Sequence, residues 1–264
     1  MQIGLGTNAT FIQNCAGELH EWDKSIDWLQ WACSEHRRDK VRGIAVEPVS
    51  ELVDALRVPA DRIPNVELIQ VAIGEREVWG ADVQVFSAGS VTERDHLLQK
   101  VPDEKRPDLR RALEYLRNMS SVGVAHPLLP IMLQWFTDEW GIHIHVENRQ
   151  SDVWSWWRLA EQCNFIGCEV LVIDTEGSDA EILRSMIEYC QRTPSAWPDL
   201  IQFETMGHCD KKEGRGAGRG VIETLEKEVV LAAHLAAAMM GAWFTNARTF
   251  VSDGRTMQDT APHV

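Results

Sequence analysis

The chain has 264 residues and a formal net charge of −14, with 26 lysine and arginine residues against 40 aspartate and glutamate residues. Binding along a nucleic-acid backbone needs a basic field, so this charge argues against nucleic acid as a partner. The length is sufficient for one large α/β domain with a substantial core, and we predict a single domain over 1–264.

The composition predicts a cytoplasmic protein with reduced thiols. Its six cysteines include no CxxC pair, and the amino-terminal residues lack the charged and apolar regions of a signal peptide. The longest apolar stretch, Val229–Phe244, contains His234 and is short for a membrane span. We therefore interpret this stretch as a buried helix and expect no membrane partner.

The first third of the chain alternates strands and helices. A strand stub ends in a glycine turn at Gly4, and four further elements follow with apolar patterns of strand or helix type. This order is typical of a doubly wound, mostly parallel sheet. The four predicted elements are a helix along Leu19–Cys33, a strand at Val41–Val46, a helix at Ser50–Leu56 and a strand at Val66–Ile73 closed by Gly74.

The middle of the chain is less regular. Residues 79–141 are predicted to form a helical insertion or lid over the sheet, with helices at Pro107–Arg117 and within His126–Trp140. A short strand at His143–Val146 and a helix at Asp152–Cys163 are predicted to follow. His143 and His145 would share one face of that strand, but no third ligand is apparent, so no metal site is predicted.

The last third carries the most informative pattern. The uninterrupted apolar run Val170–Ile173 predicts a central strand buried on both faces, and it stops at Asp174. A helix through Leu183 and Ile187 and a strand ending at Glu204 are predicted next. The glycine-rich segment 214–220 is interpreted as a mobile loop, either a solvated linker or a clamp for an anionic substrate.

Several carboxylates follow predicted strands. Ligands of parallel α/β sheets bind beyond the carboxyl ends of the strands, so Asp174, Glu176 and Glu204 would face the ligand. Clustered carboxylates can attract a cation, ligate a metal or act as a base, and His208 has a suitable pKa for a general base. The alternative interpretation is that Asp174 or Thr175, before Gly177, caps the start of a helix.

The glycine turn suggests a nucleotide-like ligand. Gly4 and Gly6 permit close backbone approach, and a carboxylate at Glu47 can accept two hydrogen bonds from a ribose diol. The pattern Gly4-x-Gly6-x-x-Ala9 also matches a dinucleotide fingerprint. Glu47 lies much further on than the expected spacing of about 20 residues, so dinucleotide binding by an NAD-dependent oxidoreductase is the second choice.

Four segments together resemble the FkbM-type methyltransferase family. The segment Leu171–Leu183, with the sequence LVIDTEGSDAEIL, is similar to the family's central "IDVEG.E...L" motif. Ile44–Pro48, Val71–Gly74 and Leu200–Glu204 match three further segments in the same order. The resemblance covers roughly residues 1–228 and is strongest in 41–74 and 165–208.

The resemblance implies a Rossmann-like class I fold that binds S-adenosylmethionine (SAM). The expected reaction is methyl transfer to a hydroxyl oxygen of a small molecule or sugar. A non-catalytic module that keeps this fold is a further alternative. The implied cofactor-binding residues are Gly4, Gly6, Asn8 in the position of a later motif glycine, Glu47 at the ribose, and Ala72 and Ile73 against the adenine.

The resemblance also implies a catalytic group. Asp174 or His208 would remove the proton of the acceptor hydroxyl, and Glu176 and Glu204 would orient the substrate. The expected partner is a small-molecule hydroxyl acceptor.

Overall fold

In the computed structural model the chain divides into two compact units. The amino-terminal unit comprises Gln2–Trp154, and the carboxy-terminal unit comprises Ser155–Val264 together with Met1. The single domain over 1–264 and the lid at 79–141 stay predictions. The residues whose structure is described are 1–4, 42–61, 65–86, 91–118, 121–122, 129–165, 167–175, 177–203, 210 and 213–240.

Three parallel strands of the amino-terminal unit lie side by side. They are β1 (Gln2–Ile3), β2 (Gly43–Val46) and β3 (Val66–Ile69), with β2 in the middle. Every residue of β2 is buried, as expected for an apolar strand covered on both faces. Helix α1 (Ser50–Asp61) connects β2 to β3, which is the crossover that parallel strands require.

A second sheet in the same unit contains antiparallel pairs. Strand β5 (Val78–Phe86) pairs antiparallel with β6 (Ser121–Val122) and with β7 (Val146–Ser155). Strand β4 (Ala72–Gly74) completes the order β4-β7-β5-β6. This sheet was not part of the sequence prediction, which treated the region of β5 as irregular.

The predicted strand Val66–Ile73 is wrong as a single strand. Its first half is β3 in the parallel sheet, whereas its second half is β4 in the four-stranded sheet. The chain changes sheets at Gln70 and Val71, and Gln70 is exposed. An apolar run reports burial but not the neighbouring strand, so the hydrophobic pattern alone could not locate this change.

Three helices of the amino-terminal unit share a core cluster. They are α2 (Val91–Leu98), α3 (Arg106–Asn118) and α4 (Leu129–Trp140). The prediction of a helix at Pro107–Arg117 is confirmed, and its three leucines at helical spacing are fully buried. Burial of each such leucine is worth about 1.5–3 kcal/mol relative to exposure. The helix predicted within His126–Trp140 is confirmed from Leu129 onwards.

The predicted boundary between strand and helix near Trp154 is wrong. Residues 141–145 form no strand, and β7 runs from Val146 to Ser155 where a helix from Asp152 was expected. Helix α5 (Trp156–Gln162) begins only after Ser155, whose hydroxyl accepts a hydrogen bond from the Arg158 amide at 3.2 Å. This serine cap starts the helix four residues later than predicted.

The carboxy-terminal unit also alternates strands and helices. After α5 come β8 (Val170–Ile173), α6 (Asp179–Arg192), β9 (Leu200–Phe203) and α7 (Ala217–Met240). Strands β8 and β9 are parallel, and Met1 accepts a hydrogen bond from Val172 beside β8. The predicted α/β class with parallel pairing is therefore confirmed.

The long helix α7 covers part of the predicted apolar helix. The helix predicted at Val229–Phe244 is confirmed up to Met240. The prediction that it is buried concerns side chains outside the described ones. Within the described part of the chain, no helix combines the length and the apolar character that crossing a bilayer demands.

Candidate functional site

The carboxyl ends of the parallel strands β1 and β2 lie side by side in the amino-terminal unit, and we call the residues that follow them, Gly4 and Glu47, the corner. Gly4 directly follows β1, and its amide donates to the Val46 carbonyl at 3.0 Å. Gly4 has φ of +78°, a left-handed conformation that glycine adopts without steric cost. In the same way, the Glu47 amide donates to the Ile69 carbonyl at 3.0 Å. The predicted glycine turn after β1 is thus confirmed in its first residue.

Glu47 lies at the carboxyl end of β2 and is only 4% exposed. Its Oε1 accepts a hydrogen bond from the Val49 amide at 3.0 Å. The Val49 carbonyl in turn accepts from the amides of Leu52 and Val53, which begins α1. The carboxylate therefore has a fixed orientation at the point where strand β2 turns into helix α1. A buried carboxylate held in this way is a preformed hydrogen-bond acceptor.

The predicted adenine-binding residues belong to β4. Ala72 and Ile73 are each 5% exposed, and they lie in the four-stranded sheet rather than in the sheet that holds Glu47. Both sheets are parts of the amino-terminal unit. Burial leaves the Ala72 and Ile73 side chains packed within the protein, so their role toward adenine stays a prediction.

Five of the predicted site residues cannot be placed. They lie outside the described residues, and their roles stay predictions from the sequence. They are Gly6, Asn8, Glu176, Glu204 and His208.

Asp174 is exposed directly after β8 in the carboxy-terminal unit. Ile173, the last residue of β8, is buried and lies opposite Phe203 of β9 in the parallel register. The strand therefore ends where the sequence predicts, and the first carboxylate emerges at the carboxyl end of a buried strand. This is the edge at which parallel α/β sheets bind ligands.

The sequence analysis missed Asp179 as an individual residue. Asp179 is the first residue of α6 and is 1% exposed. Its Oδ2 accepts hydrogen bonds from the Thr175 hydroxyl at 3.2 Å and from the Gly177 amide at 3.3 Å. The carboxylate therefore fastens the loop that carries Asp174. The only signal for it in the sequence is its place in the motif at Leu171–Leu183.

Burial perturbs the ionisation of Asp179. Its Oδ1 is inaccessible to solvent and has no hydrogen-bond partner among the residues that the structure describes. Burial raises the pKa of the Asp179 carboxyl above its ordinary value, while hydrogen bonds from Gly177 and Thr175 act in the opposite direction. The helix-capping alternative named Asp174 or Thr175, whereas the N-cap residue of α6 is Ser178, whose side chain makes no capping hydrogen bond. Asp179 instead accepts from the amide of Gly177, which precedes the helix.

The glycine-rich segment is partly helical, which corrects the prediction of a loop over 214–220. Helix α7 begins at Ala217, and the Asp210 carboxylate accepts from the Gly216 amide at 2.9 Å and from the Gly218 amide at 3.0 Å. These bonds hold the pKa of Asp210 below its ordinary value. The amides that could clamp an anionic substrate are already bound to a carboxylate of the protein.

A groove of about 470 Å³ lies between α6 and α7 in the carboxy-terminal unit. Arg184 and Gln191 line one wall, and Gly216, Gly220 and Thr224 line the other. Of the predicted cofactor-binding and catalytic residues that the structure describes, none lines this groove, whereas Gly216 and Gly220 belong to the glycine-rich segment 214–220. Across the described residues, no group of three or more histidine, cysteine or acidic side chains is arranged to hold a metal ion.

Comparison of the chain with protein-family models, curated proteins and solved structures gave no match.

Proposed function

We propose that the chain is a SAM-dependent methyltransferase of the Rossmann-like class I fold, which transfers methyl to a hydroxyl oxygen of a small molecule or sugar. The observation that carries this proposal is the corner formed by Gly4 and Glu47. A left-handed glycine after β1 and a buried carboxylate after the adjacent parallel strand β2 support this proposal, because glycine turns and strand-end acids hold nucleotide ligands in α/β folds.

The residues present fit the adenosine part of SAM. Gly4 has no side chain to obstruct the approach of a ligand to the backbone at the end of β1. The Glu47 carboxylate has its orientation set by Val49 and would accept hydrogen bonds from the ribose hydroxyls. Ala72 and Ile73 keep their proposed place beside the adenine.

The proposed chemistry needs few protein groups. When bound, SAM would supply an electrophilic methyl carbon, to which the acceptor oxygen would bond as the carbon–sulfur bond breaks, S-adenosylhomocysteine leaves and the hydroxyl proton passes to a base. Holding the acceptor in a reactive orientation is worth up to about 7–11 kcal/mol of the barrier. Asp174 or His208 would take the acceptor proton, and Glu176 and Glu204 would orient the acceptor. The formal charge of −14 also favours a cationic ligand electrostatically.

Calorimetric titration of the purified chain with SAM, S-adenosylhomocysteine and NAD(H) tests the proposal. We expect micromolar binding of both adenosyl ligands and its loss in Glu47→Ala. Binding of NAD(H) with hydride transfer would instead assign an oxidoreductase. Absence of all binding would favour a non-catalytic module.

The methyl acceptor can be sought in the same preparation. Release of S-adenosylhomocysteine from SAM would be followed with a panel of sugars, polyols and phenols as acceptors. Turnover with a hydroxyl compound, but not with its deoxy analogue, would establish O-methylation as the reaction.

A further inference from the structure

The loop between β8 and α6 is fastened from its carboxy-terminal side. Asp179 reaches back over four residues to the Thr175 hydroxyl and over two residues to the Gly177 amide. Both donors converge on Oδ2 alone. One oxygen atom therefore fixes two points of the five-residue segment 174–178.

The fastening atom belongs to a buried side chain at the start of a helix. Asp179 is 1% exposed and starts a helix of 14 residues, and its successors Ala180, Ile182 and Leu183 are buried as well. A carboxylate on such a helix has little freedom to follow movements of the loop. The loop must therefore adapt to Asp179, rather than the reverse.

The backbone of the loop is specialised for this contact. Gly177 has φ of +118°, a conformation open to glycine and strained for other residues. In this conformation its amide donates to Asp179. Thr175 supplies the second donor one residue after Asp174. The two residues on either side of Glu176 in the sequence therefore both donate hydrogen bonds to the buried Asp179 carboxylate.

We propose that Asp179 is a positioning residue, which holds Thr175 and Gly177 in place and so fixes the place of the Asp174 carboxylate, next to Thr175 in the chain. This inference rests on the proposed methyltransferase function, in which Asp174 is a candidate base. Asp179 acts through the loop and does not itself contact the reacting atoms.

The sequence offers a selective spectroscopic probe of this contact. Only two glycines follow a glutamate, Gly177 and Gly214. Labelling glutamate with ¹³C at the carbonyl and glycine with ¹⁵N at the amide therefore isolates these two amides by NMR. Gly214 is the internal control, because its amide donates to the backbone carbonyl of Asp210.

In the wild-type protein we expect the Gly177 amide shift to titrate with the Asp179 carboxyl, with a midpoint above the ordinary aspartate pKa of about 4. Asp179→Asn should remove the titration step at this midpoint, whereas any steps from the carboxyls of Asp174 and Glu176 would remain. Thr175→Val removes the hydroxyl donor to the ionised form and should move the midpoint upward, whereas Thr175→Ser should leave it unchanged. The Gly214 titration should be the same in all four proteins.

A Gly177 titration step that persists at the wild-type midpoint in Asp179→Asn would overturn the inference, as would identical midpoints in the valine and serine variants. Urea unfolding of each variant ensures that a change at Gly177 is read from folded protein. These results do not depend on SAM, so they decide the contact even if the proposed function fails.

Turnover then tests the positioning of Asp174. With any acceptor that the wild-type enzyme methylates, Thr175→Val should lower kcat by about tenfold with unchanged SAM affinity, and Thr175→Ser should restore kcat. Unchanged kcat in Thr175→Val, together with a shifted Gly177 midpoint, would refute the positioning role. Lack of SAM binding by the wild-type protein would refute the proposed function instead.

Discussion

The Gly4 amide donates a 3.0 Å hydrogen bond to the Val46 carbonyl, so the end of β1 lies beside the residue that precedes Glu47. The parallel ladder between β1 and β2 thereby continues one step past the last paired residues, Ile3 and Val46. Glu47 is separated from this bond by a single peptide unit. Glu47 is therefore the next residue along the chain after the one whose carbonyl Gly4 binds.

Glu47→Gln and Glu47→Ala separate the structural role of this side chain from ligand binding. Glutamine keeps an oxygen for the Val49 amide, so we expect little loss of stability, whereas alanine leaves that amide unpaired at a cost of about 1–3 kcal/mol. Both variants should weaken SAM binding at least tenfold. Calorimetry and urea unfolding measure the two effects, and wild-type SAM affinity in Glu47→Gln would contradict the ribose assignment.

Asp174→Ala should reduce turnover and leave SAM affinity within about twofold of wild type. Loss of a general base typically costs about 10²- to 10⁴-fold in rate. Asp174 is exposed, so its removal should not destabilise the fold. Steady-state kinetics and calorimetry on the same preparation provide the comparison. The roles of Asp174 and Glu47 would be wrong if Asp174→Ala lost SAM binding while Glu47→Ala lost only turnover.

Asp179→Asn should change how stability depends on pH. Burial raises the pKa of Asp179 in the folded state, so the folded protein gains stability from its protonated form below about pH 4. That contribution is lost as the pH rises through the folded-state pKa. The stability of wild type relative to Asp179→Asn should therefore fall with rising pH. Urea unfolding at several pH values tests this, and a difference that grows in the opposite direction would contradict it.

The contribution of Asp210 to stability should depend on pH in the opposite direction to that of Asp179. Hydrogen bonds from Gly216 and Gly218 lower its pKa, so its ionised form stabilises the start of α7 above about pH 4, and this stabilisation is lost as the pH falls through the folded-state value. Asp210→Ala should lower the midpoint of thermal unfolding at pH 7 but not at pH 2. Asp210→Asn retains one acceptor oxygen and should lie between alanine and wild type. Equal losses at both pH values would refute the role of the charge.

Two glycine-to-alanine substitutions should change the free energy of unfolding in opposite directions. A Cβ at Gly220, within α7, would meet nothing within 4 Å, so Gly220→Ala should stabilise the protein by about 0.5–1 kcal/mol. Gly167 has φ of +142°, and a Cβ there would lie 2.9 Å from the Ser195 carbonyl oxygen, so Gly167→Ala should destabilise it by about 1–3 kcal/mol. Denaturant unfolding of the pair provides the measurement, and stabilisation by Gly167→Ala would contradict the backbone description.

The sequence predicts strand ends well where chemistry changes abruptly. The apolar runs at Ile44–Val46 and Val170–Ile173 are followed by Glu47 and Asp174. Strands β2 and β8 end with the last residue of each run. Gly4 was recognisable because glycine is the residue that a left-handed turn requires. These features are local, so a single sequence contains them.

The missed features depend on tertiary contacts. The division between β3 and β4 depends on which strands each of them pairs with. The apolar run at 66–73 does not show whether it forms one strand or two. In β7 the alternate burial of Ser151 and Val153 follows the period of a strand, but the tryptophans nearby favoured a helix. Asp179 looks like any acid at a helix start until its burial is known.

The short connection at Gln70 and Val71 also couples the positions of the two sheets to which β3 and β4 belong. Only these two residues separate β3 from β4, so the three Cα–Cα steps from Ile69 to Ala72 reach roughly 10 Å when extended. The side chains of Val49 and Leu52 also pack against Val83 and Val85 of β5. A displacement of the four-stranded sheet would therefore pull on β3 and on the start of α1, where the Glu47 carboxylate is held. Lengthening this link with inserted residues would remove the covalent restraint between β3 and β4, and the packing of Val49 and Leu52 against β5 would then remain as a coupling.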